Sequence, residues 1–526
     1  MRLTPRIRTR LATEHGFSMI IVMGVMAASS LFVAAAFAAA NGDLPLTRDS
    51  QDRKQAYGAA EAGINLYQYH LNQDPDYWTR CTNVPAPNGT ENQPVNQVWN
   101  GVGTDPRRWR NVAGMPTRYT IELLPANGAP ACVEGNVGTM IDSTTGAFRI
   151  RATGQPRAGS KLKRSVISTF RRRSFLDFLY FTDFETKDPV GYSSGSQAWA
   201  QTECGDKYRA QRDNNCDEIQ FAGFDEIKGP FHTNDDILYC GSPVFGRSSA
   251  DSIEFSGPAP GYASAGGSCS GTPNFKGPRR AGVKALTMPP TNTSLQALAT
   301  ANGRLYTGTT TIRFNGSPAN NMTVRNPNIS GGAAQTVALP PNGVIYVRSG
   351  TGGCGTPPPP QSATYSEPSS CGNVNISGTY TSSMTVAAAN DIVVRPYSGS
   401  NGDVIGSGNA VLGLIATNFV RVYHPVNNCN DSTGTMNTVR IDAAILSLKH
   451  SFTVDNHACG NQLGDLTVNG AIAQKYRGVV GTTGGTGYSK DYNYDDRLRF
   501  RSPPFFLEPI AASWHVIRSN EQVPPR

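Results

Sequence analysis

The sequence Gly16-Phe17-Ser18-Met19-Ile20-Ile21 opens a stretch of 24 residues, Phe17 to Ala40, that contains no charged side chain. A helix needs about 20 consecutive apolar residues to cross the hydrocarbon core of a bilayer, so this stretch is long enough to span a membrane with some tilt. Because basic flanks remain on the cytoplasmic side, we expect a cytoplasmic N-terminus and an extracytoplasmic chain from Asn41 onward. The sequence therefore predicts a single-pass protein of the inner or cytoplasmic membrane. The basic flank consists of Arg2, Arg6, Arg8 and Arg10.

A helical pattern continues beyond the apolar stretch. Within residues 51–63, small residues recur at intervals of three and four, which places them on one face of a helix: Ala56, Ala59, Ala60 and Gly63. We expect the helix to end near Leu71, which gives an N-terminal segment of residues 17–72 with an apolar first half and an amphipathic second half. Pro45 lies between the halves and is expected to bend or interrupt the helix, because proline lacks the backbone donor.

Two other interpretations of the apolar stretch are open at this point. One is an ordinary single-pass anchor. The other is a cleavable secretory signal that ends near Ala38-Ala39-Ala40. Secretory signals have a shorter apolar region and lose it on cleavage, whereas a cut before the apolar stretch leaves that stretch in the mature protein. The N-terminal residue of the mature protein therefore distinguishes the three cases.

Two features of the N-terminus together resemble a known family. The Gly16-Phe17 junction and the segment Ala59-Ala60-Glu61-Ala62-Gly63 are similar to the start of PilX-type type IV pilus assembly proteins and minor pilins, over residues 10–75. The resemblance implies that residues 1–16 are a leader cut by prepilin peptidase between Gly16 and Phe17. It also implies methylation of Phe17, and contacts of the N-terminal helix with membrane lipid and with other pilin or pilus-machinery subunits.

The residue at position 21 departs from the pattern of major pilins. The resemblance implies a glutamate five residues into the mature chain, which is thought to neutralise the N-terminal amine of the preceding subunit, but this position holds Ile21. A carboxylate in hydrocarbon is costly unless it is paired. A subunit without it is expected at a filament tip, where no neighbour lies above. The alternative is simple drift of this residue in a plain anchor.

The rest of the chain has the composition of extracellular β structure. Its 526 residues include 55 Gly and 36 Pro, and only 16% are charged, which suits short strands joined by many turns. The net charge of +8 is mild for this length. The densest basic run, Lys161 to Arg173, is expected to be a solvated face between strands. No nucleic-acid-binding motif accompanies it, so nucleic acid is not an expected partner.

The ten cysteines all lie beyond the apolar stretch, on the side expected to be outside the cell. None forms a C-x-x-C motif, which argues against a zinc ribbon or a thioredoxin-type site. The simplest interpretation is five disulfides between sequence neighbours in an oxidising compartment. These pairs are Cys81 with Cys132, Cys204 with Cys216, Cys240 with Cys269, Cys354 with Cys371, and Cys429 with Cys459.

Two β-rich regions follow the helix, so the expected fold class is α+β to mainly β. Residues 73–185 contain alternating strands and predict a small antiparallel β domain that packs on the exposed half of the helix. Residues 186–526 contain short apolar strands between turns, repeating at roughly 23–28 residues, which favours a parallel β-helix; a β-sandwich or jelly roll is the alternative. The tail 502–526 is expected to cap that domain with four apolar side chains: Phe505, Phe506, Leu507 and Trp514.

The sequence contains no motif for catalysis or for a metal. The seven histidines are scattered, and no G-x-S-x-G, H-E-x-x-H or P-loop is present. The best local polar group, His232 with Asp235 and Asp236, is expected to be a turn. The segment 491–496 begins like a calcium loop but lacks the glycine and glutamate of an EF-hand, which leaves only a surface calcium site open. We expect no catalytic residue, no metal and no cofactor, and hence no enzyme.

The leading interpretation is a membrane-inserted minor pilin of PilX type. It would present a large disulfide-bonded β domain at the cell surface or on a pilus, for assembly initiation or adhesion. The alternative is a permanently anchored surface protein whose β-helix binds or cleaves a surface polysaccharide. A third interpretation is a tip pseudopilin of a type II secretion-like system.

Overall fold

The computed structural model describes residues 17–74, 77, 109–126, 128–129, 132–133, 139–142, 145–352, 354, 367–398, 401–427, 429–432, 436–510 and 514–525. The leader, including Gly16, lies outside these ranges, and so do Cys81 and the proline run 357–360. Helix α1 (Phe17–Gln73) is continuous. The expected interruption at Pro45 is therefore wrong. One proline costs about 3 kcal/mol in a helix. The helix continues through Pro45 because this cost affects one position only, and the turns on both sides keep their hydrogen bonds.

A five-stranded antiparallel sheet packs against the second half of α1, and together they form the helix–sheet module. The strands lie in the order β1-β2-β3-β4-β33. Their bounds are β1 Arg110–Asn111, β2 Arg118–Leu124, β3 Ala147–Gln155, β4 Arg164–Arg172 and β33 Trp514–Gln522. The core between helix and sheet contains Tyr67, Leu71, Phe148, Phe170 and Trp514, all with at most 1% of their surface exposed.

The small-residue face of α1 lies directly on β3. A Cβ atom added to Gly154 of β3 would lie 2.0 Å from the carbonyl oxygen of Ala56 and 2.7 Å from the amide nitrogen of Ala60. One added to Gly63 of α1 would lie 2.6 Å from the ring of Tyr119. Small side chains allow this close approach, so the sequence pattern on residues 56–63 serves the packing of helix on sheet.

The remaining strands form the coil domain, residues 174–510. Its first part contains β5 Tyr180–Lys187, β6 Gln220–Ala222, β7 Glu226–Lys228, β8 Phe231–Thr233, β9 Ile237–Cys240, β10 Val244–Phe245, β11 Ile253–Phe255, β12 Tyr262–Ser264, β13 Asn274–Phe275 and β14 Arg279–Ala281. The described part of this domain also contains the α-helices α2 Gln197–Ala200 and α3 Ser294–Asn302.

The second part of the coil domain lies beyond α3. It contains β15 Arg304–Thr307, β16 Thr310–Asn315, β17 Asn321–Arg325, β18 Gln335–Ala338, β19 Val344–Arg348, β20 Val374–Tyr380, β21 Met384–Ala388, β22 Ile392–Val394, β23 Val404–Gly406, β24 Leu412–Ala416, β25 Val420–Val422, β26 Val426–Asn427, β27 Asp431–Ser432, β28 Val439–Ser447, β29 Phe452–Val454, β30 Gln462–Arg477, β31 Gly481–Thr482 and β32 Thr486–Tyr494.

Strands of the coil domain pair mainly in parallel with strands one coil further along. The longest ladder runs β15-β19-β21-β24-β28-β30-β5-β8-β11-β14, and each of its pairings is parallel. A second ladder links β16, β20, β22, β25 and β29, again in parallel. These ladders have the pairing of a β-helix, whereas a β-sandwich would require antiparallel pairs. Ile, Val, Leu and Phe side chains point inward and fill the space that the ladders enclose.

The chain enters the coil domain in its middle. Strand β5 lies between β30 and β8, although β30 is the later strand by almost 300 residues. From β5 the chain winds to β14 at one end. It then returns along α3, which packs on the outside of β19, to β15 at the opposite end and winds back to β30. The contact of β30 with β5, together with that of β32 with β7, forms a seam between the two parts of the domain.

The observed domain boundaries differ from those expected at residues 73–185 and 186–526. Strand β5 belongs to the coil domain, and β33 pairs with β4 of the helix–sheet module. The coil domain is therefore an insertion between two neighbouring strands. The tail does not cap the coil: Trp514 lies in the module core, Phe506 packs on the outer face of the coil, and Phe505 is exposed. The physical reason is the free edge of β4, which β33 fills from far along the chain.

Candidate functional site

The first half of α1 has no partner within the described part of the chain. Met19–Ala38 has a mean hydropathy of 2.3, and none of it is buried. Its large side chains are 51–77% exposed; they are Met19, Ile20, Ile21, Val22, Met23, Val25, Met26, Leu31, Phe32, Val33 and Phe37. An apolar surface of this size needs lipid or another protein to cover it. This half of α1 is the candidate site for insertion and assembly.

Ile21 lies on this exposed surface, with 60% of its side chain accessible. No acidic or basic residue occurs between Met19 and Ala38. A second helix packed against this surface would meet only uncharged side chains, and the small residues among them would allow close helix–helix packing in lipid. The expected cleavage position lies between Gly16 and Phe17. The described residues begin at Phe17, so Gly16 lies outside them.

A charged band follows the apolar half of α1. Asp49 pairs with Arg53 at 2.9 Å, and Asp52 pairs with Arg157 of the sheet module at 3.1 Å. Between α1 and the β4–β33 edge lies an open groove of about 770 Å³, lined in part by Lys54, Glu61, Arg164 and Glu521. Charges begin where the apolar surface ends, as expected for a helix that leaves a bilayer and continues into a folded domain.

The seam of the coil domain carries a buried charge network. Arg477, 2% exposed, donates to Glu185 at 3.3 Å and to the backbone carbonyl of Ile219 at 3.1 Å. Lys490 lies 3.0 Å from Asp225. Burial raises the pKa of Glu185 and lowers the pKa of Lys490. The network joins the first coil to the last coil, so we interpret it as structural.

The group His232, Asp235 and Asp236 does not form a site. His232 lies in strand β8, fully buried, with Nδ1 3.1 Å from Glu254 and Nε2 3.2 Å from Asn234. Asp235 is 1% exposed and forms an ion pair with Arg212 on a different side. The expected turn holds for Asp235 and Asp236 but not for His232, because alternation along β8 directs it into a separate buried cluster.

The segment 491–496 is a strand and a short 3₁₀ turn, and each carboxylate has a basic partner. Asp491 lies 2.9 Å from Lys228, Asp495 lies 2.7 Å from Arg497, and Asp496 lies 2.8 Å from Arg247. The hydrogen bond from Arg247 lowers the pKa of Asp496. In the parts of the chain that the structure describes, no group of three His, Cys, Asp or Glu side chains is arranged to hold a metal.

Two arginines of the basic run, Arg171 and Arg173, join the two domains, and the expectation of a solvated face is wrong for them. Arg171 lies 3.2 Å from Asp177, and Arg173 pairs with Glu254 of β11. The guanidinium of Arg172 lies 5.0 Å from the ring centre of Trp514. Because β4 leads directly into the coil domain, its charges face neighbours on both domains. Sequence reasoning missed this joint since Glu254, the partner of Arg173, lies 81 residues further along the chain.

Disulfides connect four pairs of sequence neighbours in the coil domain: Cys204–Cys216, Cys240–Cys269, Cys354–Cys371 and Cys429–Cys459. Cys132 is also disulfide-bonded. Its expected partner, Cys81, lies outside the described residues. No free cysteine occurs among those that are described.

No protein-family model matches the chain, and none of the curated proteins does. Among solved structures, the chain is similar to the crystal structure of the competence-associated pilin ComZ from Thermus thermophilus. The two share 13% identity, the match covers 90% of this chain and 98% of that one, and the TM-score is 0.25. In its own right, the chain combines an apolar N-terminal helix, a small antiparallel sheet and a large β domain, an architecture that fits a membrane-anchored protein of the pilin type.

Proposed function

We propose that the chain is a membrane-inserted minor pilin of PilX type that carries a large extracellular β domain. One observation carries the proposal: α1 is a single helix whose first half is wholly exposed and apolar, whereas its second half is buried against a sheet. A plain anchor needs no continuous helix between membrane and domain. A pilin needs it, because the same helix must first span a bilayer and then pack among other helices.

The insertion of the coil domain between β4 and β33 supports a role in presentation. The chain leaves the helix–sheet module after β4 and returns to it at β33, and these two strands are neighbours at one edge of the sheet. The coil domain therefore leaves the apolar half of α1 free. Ion pairs such as Arg173 with Glu254 hold the coil domain against the module. The coil domain would then extend from the filament or its tip, where it contributes to assembly initiation or adhesion.

A tip position follows from Ile21. Without a glutamate at this position, the subunit offers no carboxylate to the N-terminal amine of a subunit above it, and an unpaired charge in hydrocarbon is costly. Immunogold labelling of intact cells should mark filament ends or sparse points. Dense labelling along filaments would refute a tip position.

We also propose that the chain is not an enzyme. The carboxylate of Asp235 is buried against Arg212, and His232 is buried against Glu254, so neither faces a substrate. Incubation of the protein with polygalacturonate should produce no new reducing ends and no unsaturated product. Turnover that an Asp236→Ala substitution abolishes would replace this proposal with a glycan-cleaving surface protein.

The mature N-terminus tests the central proposal. Mass spectrometry of the membrane-extracted protein should find a chain that begins at methylated Phe17. A chain that retains Met1 would indicate a permanent anchor, and a chain that begins near Asn41 would indicate a secretory signal. A Gly16→Val variant should accumulate with its leader attached and should be absent from sheared filaments, whereas a matched Ala12→Val variant should be processed normally.

A further inference from the structure

Acidic residues are absent from a long part of the coil domain. Residues 255–366 contain no Asp or Glu, whereas the chain average of 39 acidic residues in 526 would give about eight in that length. The same stretch contains eight basic residues, and none of them has an ion pair among the residues that the structure describes. In residues 174–254, by contrast, every Lys and Arg has an acidic partner.

One of these unpaired cations, Arg313, lies in a groove. The groove, about 410 Å³ in volume, crosses the outer faces of β16, β20 and β23 near the β15 end of the coil domain. Its polar side chains are Arg313, Asn315, Ser317, Thr379, Asn401 and Asp403. The Nε atom of Arg313 is buried and has no hydrogen-bond partner among the residues that the structure describes. A buried guanidinium nitrogen without an acceptor is costly, and an anionic ligand would supply the acceptor.

Glycines form the floor of the groove. Gly378 has a φ of +99°, and a Cβ atom there would lie 2.1 Å from the carbonyl oxygen of Phe314. Gly316 has a φ of +65°, and a Cβ atom there would lie 3.3 Å from the Cβ of Thr379. Only glycine suits both backbone conformations. Glycine at these two positions therefore lets β16 and β20 lie close together beneath the groove.

The walls of the groove are held in place by hydrogen bonds within the protein. Asn315 donates to Asn321 at 2.6 Å, and Asn401 donates to Asp403 at 2.6 Å. The other oxygen of Asp403 accepts from the backbone N–H of Arg440 at 2.9 Å. The amide and carboxylate groups are thus already oriented before a ligand binds, which reduces the entropy that binding would cost.

We propose that this groove binds a linear polysaccharide that carries carboxylate groups, such as a uronate polymer. Arg313 would hold a sugar carboxylate in a two-pronged charge-assisted contact. Asn315, Thr379 and Asp403 would exchange hydrogen bonds with sugar hydroxyls. Successive strands of the groove lie about 4.8 Å apart, which is close to the length of one ring in such a polymer. The proposal depends only on the groove and not on the assignment as a minor pilin.

The lining disfavours nucleic acid. Single-stranded nucleic acid binds by stacking its bases on exposed aromatic rings, but the ring at this position, Phe314, is 2% exposed and lies in the core. The carboxylate of Asp403 can accept a hydrogen bond from a free ring hydroxyl of a uronate, a group that the deoxyribose of an internal DNA unit lacks.

The test measures binding of oligogalacturonate to the full-length protein in detergent by isothermal titration calorimetry. An Arg313→Gln variant should bind at least tenfold more weakly than the unaltered protein. The matched control is Lys276→Gln, which removes another unpaired and exposed cation at the opposite end of the coil domain and should leave the affinity within twofold. A neutral cello-oligosaccharide of equal length should bind at least tenfold more weakly than oligogalacturonate.

A second variant tests the groove independently, in case the Arg313→Gln protein does not fold. Thr379→Val keeps the side-chain volume but removes the hydroxyl from the opposite wall, and it should weaken binding by a few-fold. Equal losses in the Arg313→Gln and Lys276→Gln variants would overturn the proposal, because they would indicate a general charge effect. Absence of oligogalacturonate binding would overturn it too. Tighter binding of single-stranded DNA that also depends on Arg313 would assign the groove to nucleic acid instead.

Discussion

The guanidinium of Arg477 lies 3.3 Å from the carboxylate of Glu185, although 292 residues separate the two in the chain. Both side chains are at most 2% exposed. Arg477 also lies 3.5 Å from the centre of the Phe221 ring. The contact joins β30, the strand of the long ladder that lies furthest along the chain, to β5, the first strand of the coil domain. The coil domain is therefore complete only when β30 has paired with β5.

Loss of this contact should destabilise the coil domain. An Arg477→Met substitution leaves Glu185 buried without its cation, and breaking a buried ion pair in this way costs about 3–5 kcal/mol. Urea unfolding followed by circular dichroism measures the loss. The double variant Arg477→Met with Glu185→Gln should recover part of it, since the uncompensated charge is gone. A single variant as stable as the unaltered protein would mean that the seam does not depend on this pair.

The close contact between α1 and β3 should not tolerate a methyl group. Gly154→Ala forces a Cβ atom against the backbone of Ala56, and we expect a loss of about 3 kcal/mol in the helix–sheet module from overpacking. Gly58 is the matched control, because it lies in α1 beside Ala56 and an added Cβ there would have no described atom within 4 Å. Gly58→Ala should instead stabilise the helix by about 0.5–1 kcal/mol. Thermal unfolding of both variants tests the difference.

The inserted coil domain should be removable. Arg172 of β4 pairs with Trp514 of β33, so replacing residues 173–513 by Asn-Gly connects the two strands with a two-residue turn. We expect the resulting protein to insert into the membrane and to keep a folded module, measured by resistance to limited proteolysis.

The complementary fragment, residues 174–510, should be soluble and rich in β structure. A fragment of residues 186–526 is its control. It lacks most of β5 and carries β33 without a partner, so we expect it to aggregate. Equal solubility of the two fragments would contradict the observed domain boundaries.

The stability of the coil domain should fall in mild acid because of His457. Burial lowers the pKa of His457 from 6.5 to about 4. Between these values the unfolded chain binds a proton that the folded chain does not, so the free energy of unfolding decreases as the pH falls through this window, by up to about 3 kcal/mol. A His457→Gln variant should lack this part of the pH dependence in urea unfolding. Identical pH profiles would show that His457 makes no contribution.

Peptide mapping without reduction should find five disulfides between neighbouring cysteines. Four of the pairs are bonded in the structure, and the remaining expectation is Cys81 with Cys132. We expect no free thiol in the native protein under denaturing alkylation. A bond between Cys132 and any cysteine of the coil domain would require a different arrangement of the helix–sheet module.

Local patterns in the sequence were sufficient to predict several features. The uncharged stretch from Phe17 predicts a long apolar helix because its length alone matches a bilayer. The spacing of Ala56, Ala59, Ala60 and Gly63 predicts a face of close packing because helical periodicity depends only on near neighbours. Short strands separated by turns likewise predict coils. Each of these signals is contained within about 30 residues of chain, which is the range over which patterning can be read.

Tertiary structure alone decided how these parts are connected. Nothing near Trp514 indicates that β33 pairs with β4, because Trp514 lies 342 residues beyond its partner Arg172 and pairing at that distance depends on which strand edges are free. The position of β5 between β30 and β8 and the pairing of Arg477 with Glu185 follow from the same closure. Each requires residues from distant coils to meet, and sequence spacing carries no information about that meeting.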